Sequence, residues 1–261
     1  MNIRKNISLL CQSAKIEVME RMENAVAFSF VSIGTIVRIA VLIIFFEAIY
    51  LQVDEIGGWA IEQVYVLLET FFLIQGLAWA SYTRGFNKIA RYIENGDLDV
   101  YLSKPVNLQA FLSYRFIDLI FTTPQLLVGL GSVFYGMAKS DFLINLPLYF
   151  LAMICAIVIH YSVVLIISSS NFFVLNHQII FLREELLNLG RYPVVIYKGL
   201  AQTVLTFVIP VAIIFSFPVR VFFGDVTLVE VFTVILMAII FFLVSQLVWF
   251  QGLNRYESAK G

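Results

Sequence analysis

The sequence predicts an all-α, polytopic membrane protein, and its composition and its long apolar runs carry that prediction. Of the 261 residues, 61% are hydrophobic and only 13% are charged, and the mean hydropathy is +0.90. A soluble domain has about 45–50% apolar and about 25% charged residues, so most of this surface is expected to face lipid. Backbone in lipid must satisfy its own hydrogen bonds, which makes each long apolar run a helix.

Residues 1–24 are predicted to form an amphipathic helix before the first long apolar run. Apolar residues recur there at helical spacing, while basic residues lie on the other side. Such a helix is expected to lie along the membrane surface, either as a plain anchor or as a contact for a cytoplasmic partner. The rest of the chain, residues 25–261, is predicted to be a single transmembrane domain.

Five apolar runs are long enough to cross a membrane. A span needs about 20 residues, because a helix rises about 1.5 Å per residue through a hydrocarbon core of about 30 Å. The runs are 25–50, 61–82, 111–135, 142–167 and 228–250.

The basic residues of the connecting segments predict the orientation and the number of spans. Lys and Arg favour the cytoplasmic side. With the first segment inside, and with the ambiguous region between the fourth and the last run left out, ten of them fall on that side and only Lys139 falls on the other. This bias places both termini in the cytoplasm and requires an even number of spans, which predicts six. The ten are Arg4, Lys5, Lys15, Arg21, Arg84, Lys88, Arg91, Lys104, Arg255 and Lys260.

The sixth span has two possible positions, 172–189 and 201–217. The first is favoured, although it places Arg183, Glu184 and Glu185 within a span, where they must pair inside the bundle. It leaves 191–221 as a re-entrant outer element. The second run is short and is broken by Pro210, which lacks a backbone donor.

The polar loop 83–110 is patterned as two short helices. Asn95-Gly96 is typical of a helix stop, Asp97 can cap a new helix and Pro105 can end it. On that helix Leu98, Tyr101 and Leu102 fall at i, i+3 and i+4 and form one apolar stripe. The stripe is expected either to enter the groove of a soluble partner or to pack on the chain's own spans. Asn107 is expected to cap the next helix.

Several charges fall inside the predicted spans. Arg38 lies about 18 Å from the outer end of the first run and Glu69 about 12 Å from that of the second, so the two are expected to pair; a hydrophilic substrate path is the alternative. Arg115 and Asp118, at i and i+3, are predicted to form a local helix pair.

No pattern in the sequence predicts catalysis or a bound cofactor. His160 and His177 have no ligand-type residues at metal-site spacing, and neither Cys11 nor Cys155 belongs to a disulfide pattern. The absence of a Gly-Lys dipeptide excludes ATP binding through a P-loop. A net charge of -1 without a basic domain predicts no nucleic-acid partner.

Three segments carry a resemblance to a known family. They are IENGDLDVYLSKPV at 93–106, GRYP at 190–193 through FVIPVA at 207–212 to FP at 217–218, and GLNRYESAKG at 252–261, where Lys260 replaces a usual glycine. The chain resembles the permeases of ATP-binding-cassette (ABC) exporters of the type 2 class, in a bacterial branch with separately encoded ATPase subunits.

The resemblance implies a six-span permease in the bacterial plasma membrane, with outer re-entrant helices at 191–221. A coupling helix seated on the ATPase would fall on 96–105. The resemblance also implies a second permease, identical or a sister subunit, and two ATPase subunits that bind ATP-Mg. The coupling residues implied are Gly96, Asp97, Leu98, Asp99, Tyr101, Leu102, Lys104 and Pro105.

Two other classes of protein fit the composition. A transporter driven by an ion gradient would use an acidic residue such as Glu69, and a membrane scaffold would need no charged pathway. Copurification with an ATPase separates the permease from both.

Overall fold

The computed structural model describes residues 25–104, 107–116, 119–131, 134 and 140–256. This part of the chain is helical and contains no strand, apart from an isolated bridge between Ile56 and Trp59. The all-α prediction is confirmed. The amphipathic helix predicted for 1–24 lies outside the described residues, as do Pro105, Asp118 and 257–261. The helices are α1 Ala25–Tyr50, α2 Ile61–Ala80, α3 Thr83–Phe86, α4 Ile89–Glu94, α5 Leu98–Leu102, α6 Leu108–Tyr114, α7 Leu119–Gly129, α8 Ser140–Ser169, α9 Ile179–Asn188, α10 Leu200–Phe207, α11 Phe217–Phe222 and α12 Leu228–Arg255.

Four helices are long and apolar enough to cross a membrane: Ser29–Tyr50, Ile61–Ala80, Asn145–Phe172 and Leu228–Arg255. They confirm four of the five predicted runs. The run 111–135 divides into α6 and α7 and is described only in part. A fifth span would be the pair Leu200–Phe207 and Ala212–Phe222, if its 69° bend is a break within one span. The total of six stays a prediction.

Two of the long helices, α12 and α2, begin where neighbouring side chains satisfy free backbone amides. The Thr227 side chain accepts a hydrogen bond from the Glu230 amide at 3.3 Å, and the Glu230 carboxylate accepts one from the Thr227 amide at 2.8 Å. This capping box starts α12 at Leu228. At α2 the Gln63 side chain accepts from the Ala60 amide at 2.9 Å.

Two apolar cores hold the bundle together. The larger core is built mainly on α2 and α8 and extends to Phe215 and Val234. The smaller one lies beside the polar loop and includes Phe86, Leu98, Leu112 and Trp249. Gly85 permits the close approach there, because an alanine Cβ at that position would lie only 1.8 Å from the Leu112 carbonyl oxygen.

The bundle has two ends, which we call the 83–107 end and the 51–60 end after the connecting segments that lie there. Residues 173–197 run from one to the other: His177 Nε2 lies 3.2 Å from Glu94 Oε2, and Val195 packs against Gly57. The only α-helix in this stretch is α9, whose ten residues cover about 15 Å. At this length α9 is not among the helices long enough to cross a membrane, so the position of the sixth span stays a prediction.

The bent pair starts and finishes at the 51–60 end. It follows Val195, and its last residue, Phe222, packs on Tyr149 in the first half of α8, with ring centroids 5.7 Å apart. Its deepest ring, Phe215, lies 5.0 Å from that of Phe71 in the middle of α2. Pro210 stands at the bend. A segment that enters and leaves at one end has the geometry of a re-entrant element, and its place in a membrane stays a prediction.

Candidate functional site

The polar loop forms three short helices, α3, α4 and α5, where the sequence predicted two. Gly96 has a φ of +72°, the left-handed conformation predicted for the helix stop. Asp97 immediately precedes α5, but its side chain makes no capping bond. Asn107 Oδ1 accepts from the Ala110 amide at 2.9 Å, which confirms the predicted cap of α6.

The inner face of α5 is part of the chain's own core. Leu98 is fully buried in the smaller core, beside residues of α3, α6 and α12. Tyr101 is half-buried between the rings of Tyr92 and Phe111, at centroid distances of 5.2 and 5.3 Å. Leu98 is therefore not exposed to a partner in this structure, so the stripe of Leu98, Tyr101 and Leu102 does not present all three side chains outward. For Leu98 and Tyr101, the alternative of packing on the chain's own helices holds.

The outer face of α5 carries a different set of residues. Val100 is 55% exposed and Leu102 is 44% exposed. Lys104 is also exposed, and its ammonium lies 5.3 Å from the centroid of the Tyr101 ring. We call these exposed residues, Val100, Leu102 and Lys104, the outward face, although they lie on more than one side of the segment. The predicted apolar stripe contained Leu98, Tyr101 and Leu102, so the apolar periodicity did not indicate Val100 as an exposed residue.

Asp99 of the loop lies close to Tyr256, just after the end of α12. The Tyr256 hydroxyl faces the Asp99 carboxylate, and burial together with this carboxylate raises the pKa of Tyr256. In α4, burial and the neighbouring Tyr101 hydroxyl raise the pKa of Tyr92 to about 12. Both phenols therefore remain neutral hydrogen-bond donors at physiological pH.

A buried cation joins the loop to α9. The Arg183 side chain is fully buried; its Nη2 donates to Asn87 Oδ1 at 2.8 Å and its Nη1 to Ser168 Oγ at 3.4 Å, and it also pairs with Glu184. The sequence required that this charge pair inside the bundle, and it does. We call Arg183, Asn87, Ser168 and Glu184 the Arg183 cluster.

A second polar chain crosses the bundle next to this cluster. Tyr82 Oη lies 2.8 Å from His160 Nδ1, and His160 Nε2 lies 3.0 Å from Gln75 Oε1. Because an amide oxygen only accepts, Nε2 carries the ring proton and Nδ1 accepts from the tyrosine. His160 is thus a satisfied core histidine that ties α8 to α2.

Arg38 and Glu69 are not brought together. Arg38 lines a cavity of about 390 Å³ with Gln125 and Glu184, whereas Glu69 lines another of about 470 Å³. Phe72 lines both and lies between them. Among the described residues no ion pair joins the two, so the predicted pair is wrong.

Arg115 takes part in an aromatic cluster. Its guanidinium carbon lies 5.0 Å from the centroid of the Phe111 ring and 5.3 Å from that of Tyr101. These are cation–π distances. The predicted pairing of Arg115 with Asp118 falls on a residue outside the described part of the chain.

The helix lengths and the apolar surface define a multi-pass membrane protein, and comparison with known families identifies its class. The family described as ABC-2 family transporter protein matches residues 36–260, a stretch that includes both the polar loop and the bent pair. The chain belongs to this family and is a permease subunit of an ABC transporter. No curated protein and no solved structure matches it.

Proposed function

We propose that this permease is half of an exporter and that a separate ATPase subunit, which binds ATP-Mg, drives it through the loop helix α5. The observation that supports the coupling role is that α5 combines a fully buried anchor, Leu98, with two exposed apolar side chains. Its inner face is fixed in the bundle by Leu98, and its outward face presents Val100 and Leu102 to solvent. A soluble partner with an apolar groove can bind such a helix.

The contacts of the loop suggest how a movement of α5 would reach the rest of the bundle. Leu98 packs in the same core as Trp249 of α12. The Tyr101 ring contacts Tyr92 of α4 and Phe111 of α6. Asn87 of the loop accepts a hydrogen bond from Arg183, which belongs to α9. Beyond α9, Gly190 packs against Phe215 of the bent pair. A push on the outward face would then be transmitted towards the 51–60 end.

The proposal includes an orientation and a second permease. The 83–107 end faces the cytoplasm of a bacterial cell, both termini lie on that side, and the bent pair is an outer re-entrant element. A second permease, identical or a sister subunit, completes the substrate pathway. The basic bias of the segments supports the orientation, and the family resemblance supports the assembly.

The test replaces the outward face alone. Val100→Asp with Leu102→Asp puts two charges on the surface of α5 without entering the core, whereas a change at Tyr101 would disturb its contacts with Tyr92 and Phe111. Membrane insertion should persist, while the ATPase that copurifies with the tagged chain, and the ATP-driven transport, should fall together by about tenfold or more.

The matched control is Leu51→Asp with Val53→Asp, two exposed apolar residues at the opposite end of the bundle. This pair should keep its ATPase. Full ATPase association by the Val100 and Leu102 variant would contradict the coupling role. Equal loss in both double variants would mean that added charge harms the protein in general.

A further inference from the structure

A cavity that the coupling proposal does not use lies between three helices. Its volume is about 470 Å³, within the range of about 300–1,000 Å³ usual for small-molecule sites. Helix α1 contributes Ile39 and Ile43, α7 contributes Val128, and α2 contributes the remaining wall, including the rings of Tyr65 and Phe72. We call it the Glu69 cavity. Most of its surface suits an apolar molecule.

The charges in this wall are all negative. Glu69 and Glu62 line the cavity, and none of the described residues that line it is basic. Over the part of the chain that the structure describes, Glu69 has no ion pair and no hydrogen bond. The nearby Glu47 differs, because it accepts a hydrogen bond from Tyr65. An unpaired carboxylate at this depth in a membrane bundle is costly, and such residues commonly mark a pathway for substrate or ions.

The position of the carboxylate is restricted by the neighbouring backbone. An alanine Cβ at Gly131 would lie 2.6 Å from Glu69 Oε1, so the carboxylate rests against a glycine that leaves it just enough room. The side of the cavity formed by Val128 is therefore close to the charge. A ligand in the cavity would meet the carboxylate and the apolar wall together.

We propose that the Glu69 cavity binds a lipophilic organic monocation, such as a quaternary ammonium, a phosphonium or a protonated amphiphilic amine. The carboxylate neutralises one positive charge, the aliphatic wall receives the apolar body, and the Tyr65 and Phe72 rings offer faces to which organic cations bind. A hard metal ion such as Ca²⁺ requires six to eight oxygen ligands, which this wall does not supply. A lipophilic anion would meet two carboxylates and no cation among the described residues of the wall.

Binding to this cavity is independent of the coupling helix. That the bound cation is the exported substrate rests on the proposed function, but its affinity for the chain does not. The two proposals can therefore fail separately.

The experiment measures binding of tetraphenylphosphonium to the purified full chain in nanodiscs of phosphatidylcholine. Tetraphenylborate, an anion of nearly the same shape, is the matched probe, and empty nanodiscs give the lipid background. The cation should bind saturably and the anion should not. Glu69→Gln, which keeps the shape and removes the charge, should weaken cation binding by about tenfold or more. Glu55→Gln, an exposed carboxylate outside this cavity, should leave it unchanged.

Thermal unfolding of each variant separates lost binding from lost structure. Glu69→Gln should unfold at or above the wild-type temperature, since it removes an unpaired charge from an apolar site. Equal cation binding by wild type and Glu69→Gln, equal binding of the borate, or no saturable binding of the cation would each overturn the proposal. If the cation binds as expected but no ATPase copurifies, the export proposal fails and the binding site stands.

Discussion

Two charged residues of the bundle, Arg183 and Glu69, differ in whether neighbouring side chains form hydrogen bonds with them. Arg183 is fully buried and has hydrogen-bond partners on the loop, on α8 and on its own helix. Glu69 faces a cavity, and no described residue forms an ion pair with it. The cost of placing a charge among apolar groups applies to both. For Arg183 this cost is offset by hydrogen bonds from both terminal nitrogens of its guanidinium, which fix the loop on α9. Glu69 has no such partner among the described residues and instead borders the cavity.

The largest expected effect comes from removing the partnered charge. Arg183→Met keeps most of the side-chain volume but leaves Asn87 and Glu184 without their donor. Breaking a buried pair in this way costs about 3–5 kcal/mol. Denaturant unfolding in detergent should show this loss of stability.

The matched control is Arg220→Met, because Arg220 pairs with Glu230 while both side chains remain partly exposed. An exposed pair contributes about 0–1 kcal/mol. If the two arginine variants lost the same stability, the Arg183 cluster would not be the special connection described above.

A smaller loss is expected from the polar chain next to the cluster. Tyr82→Phe removes the donor to His160 Nδ1 and leaves a buried ring nitrogen unsatisfied, at a cost of about 1–3 kcal/mol. Tyr114→Phe is a suitable comparison, since the half-buried Tyr114 ring packs on Phe111. The loss of stability in Tyr114→Phe should stay within about 0.5 kcal/mol. Equal losses would indicate that the Tyr82 hydroxyl is not needed by His160.

The smallest effect concerns Arg38 and Glu69 as a pair. Each lines its own cavity, so Arg38→Gln and Glu69→Gln should change the free energy of unfolding independently. Their effects should add to within about 0.5 kcal/mol in a double-mutant cycle. A coupling energy well above that value would restore the ion pair that the sequence suggested.

The sequence predicted the long elements well because their signals are local. The first apolar run ends with α1 at Tyr50, and the last begins with α12 just after the Thr227 cap. The segment from 172 to 222 was harder to predict. Its charges and prolines interrupt the apolar pattern, and what holds it in place is contact with distant residues such as Asn87 and Gly57.

The candidate site was predicted less well, for two physical reasons. A helix of five residues such as α5 has apolar side chains on more than one side, so its periodicity does not tell which side is buried. Depth along a helix axis, which suggested the pairing of Arg38 and Glu69, carries no information about the direction in which each side chain points. Arg183 was recognised as a charge that needed a partner, but Asn87, 96 positions away, could not be identified from the sequence.

The burial of Leu98 also bears on how such loops can be exchanged between proteins. Residues 96–104 look like a cassette that could be moved to another permease to change which ATPase it accepts. Yet Leu98 occupies a site formed by Phe86, Leu112 and Trp249, which come from three separate helices. If the loop were grafted without these three residues, Leu98 would be exposed to solvent, or the core of the recipient protein would contain a cavity. Under the proposed coupling role, a transplant would therefore have to carry the loop together with the residues that enclose Leu98.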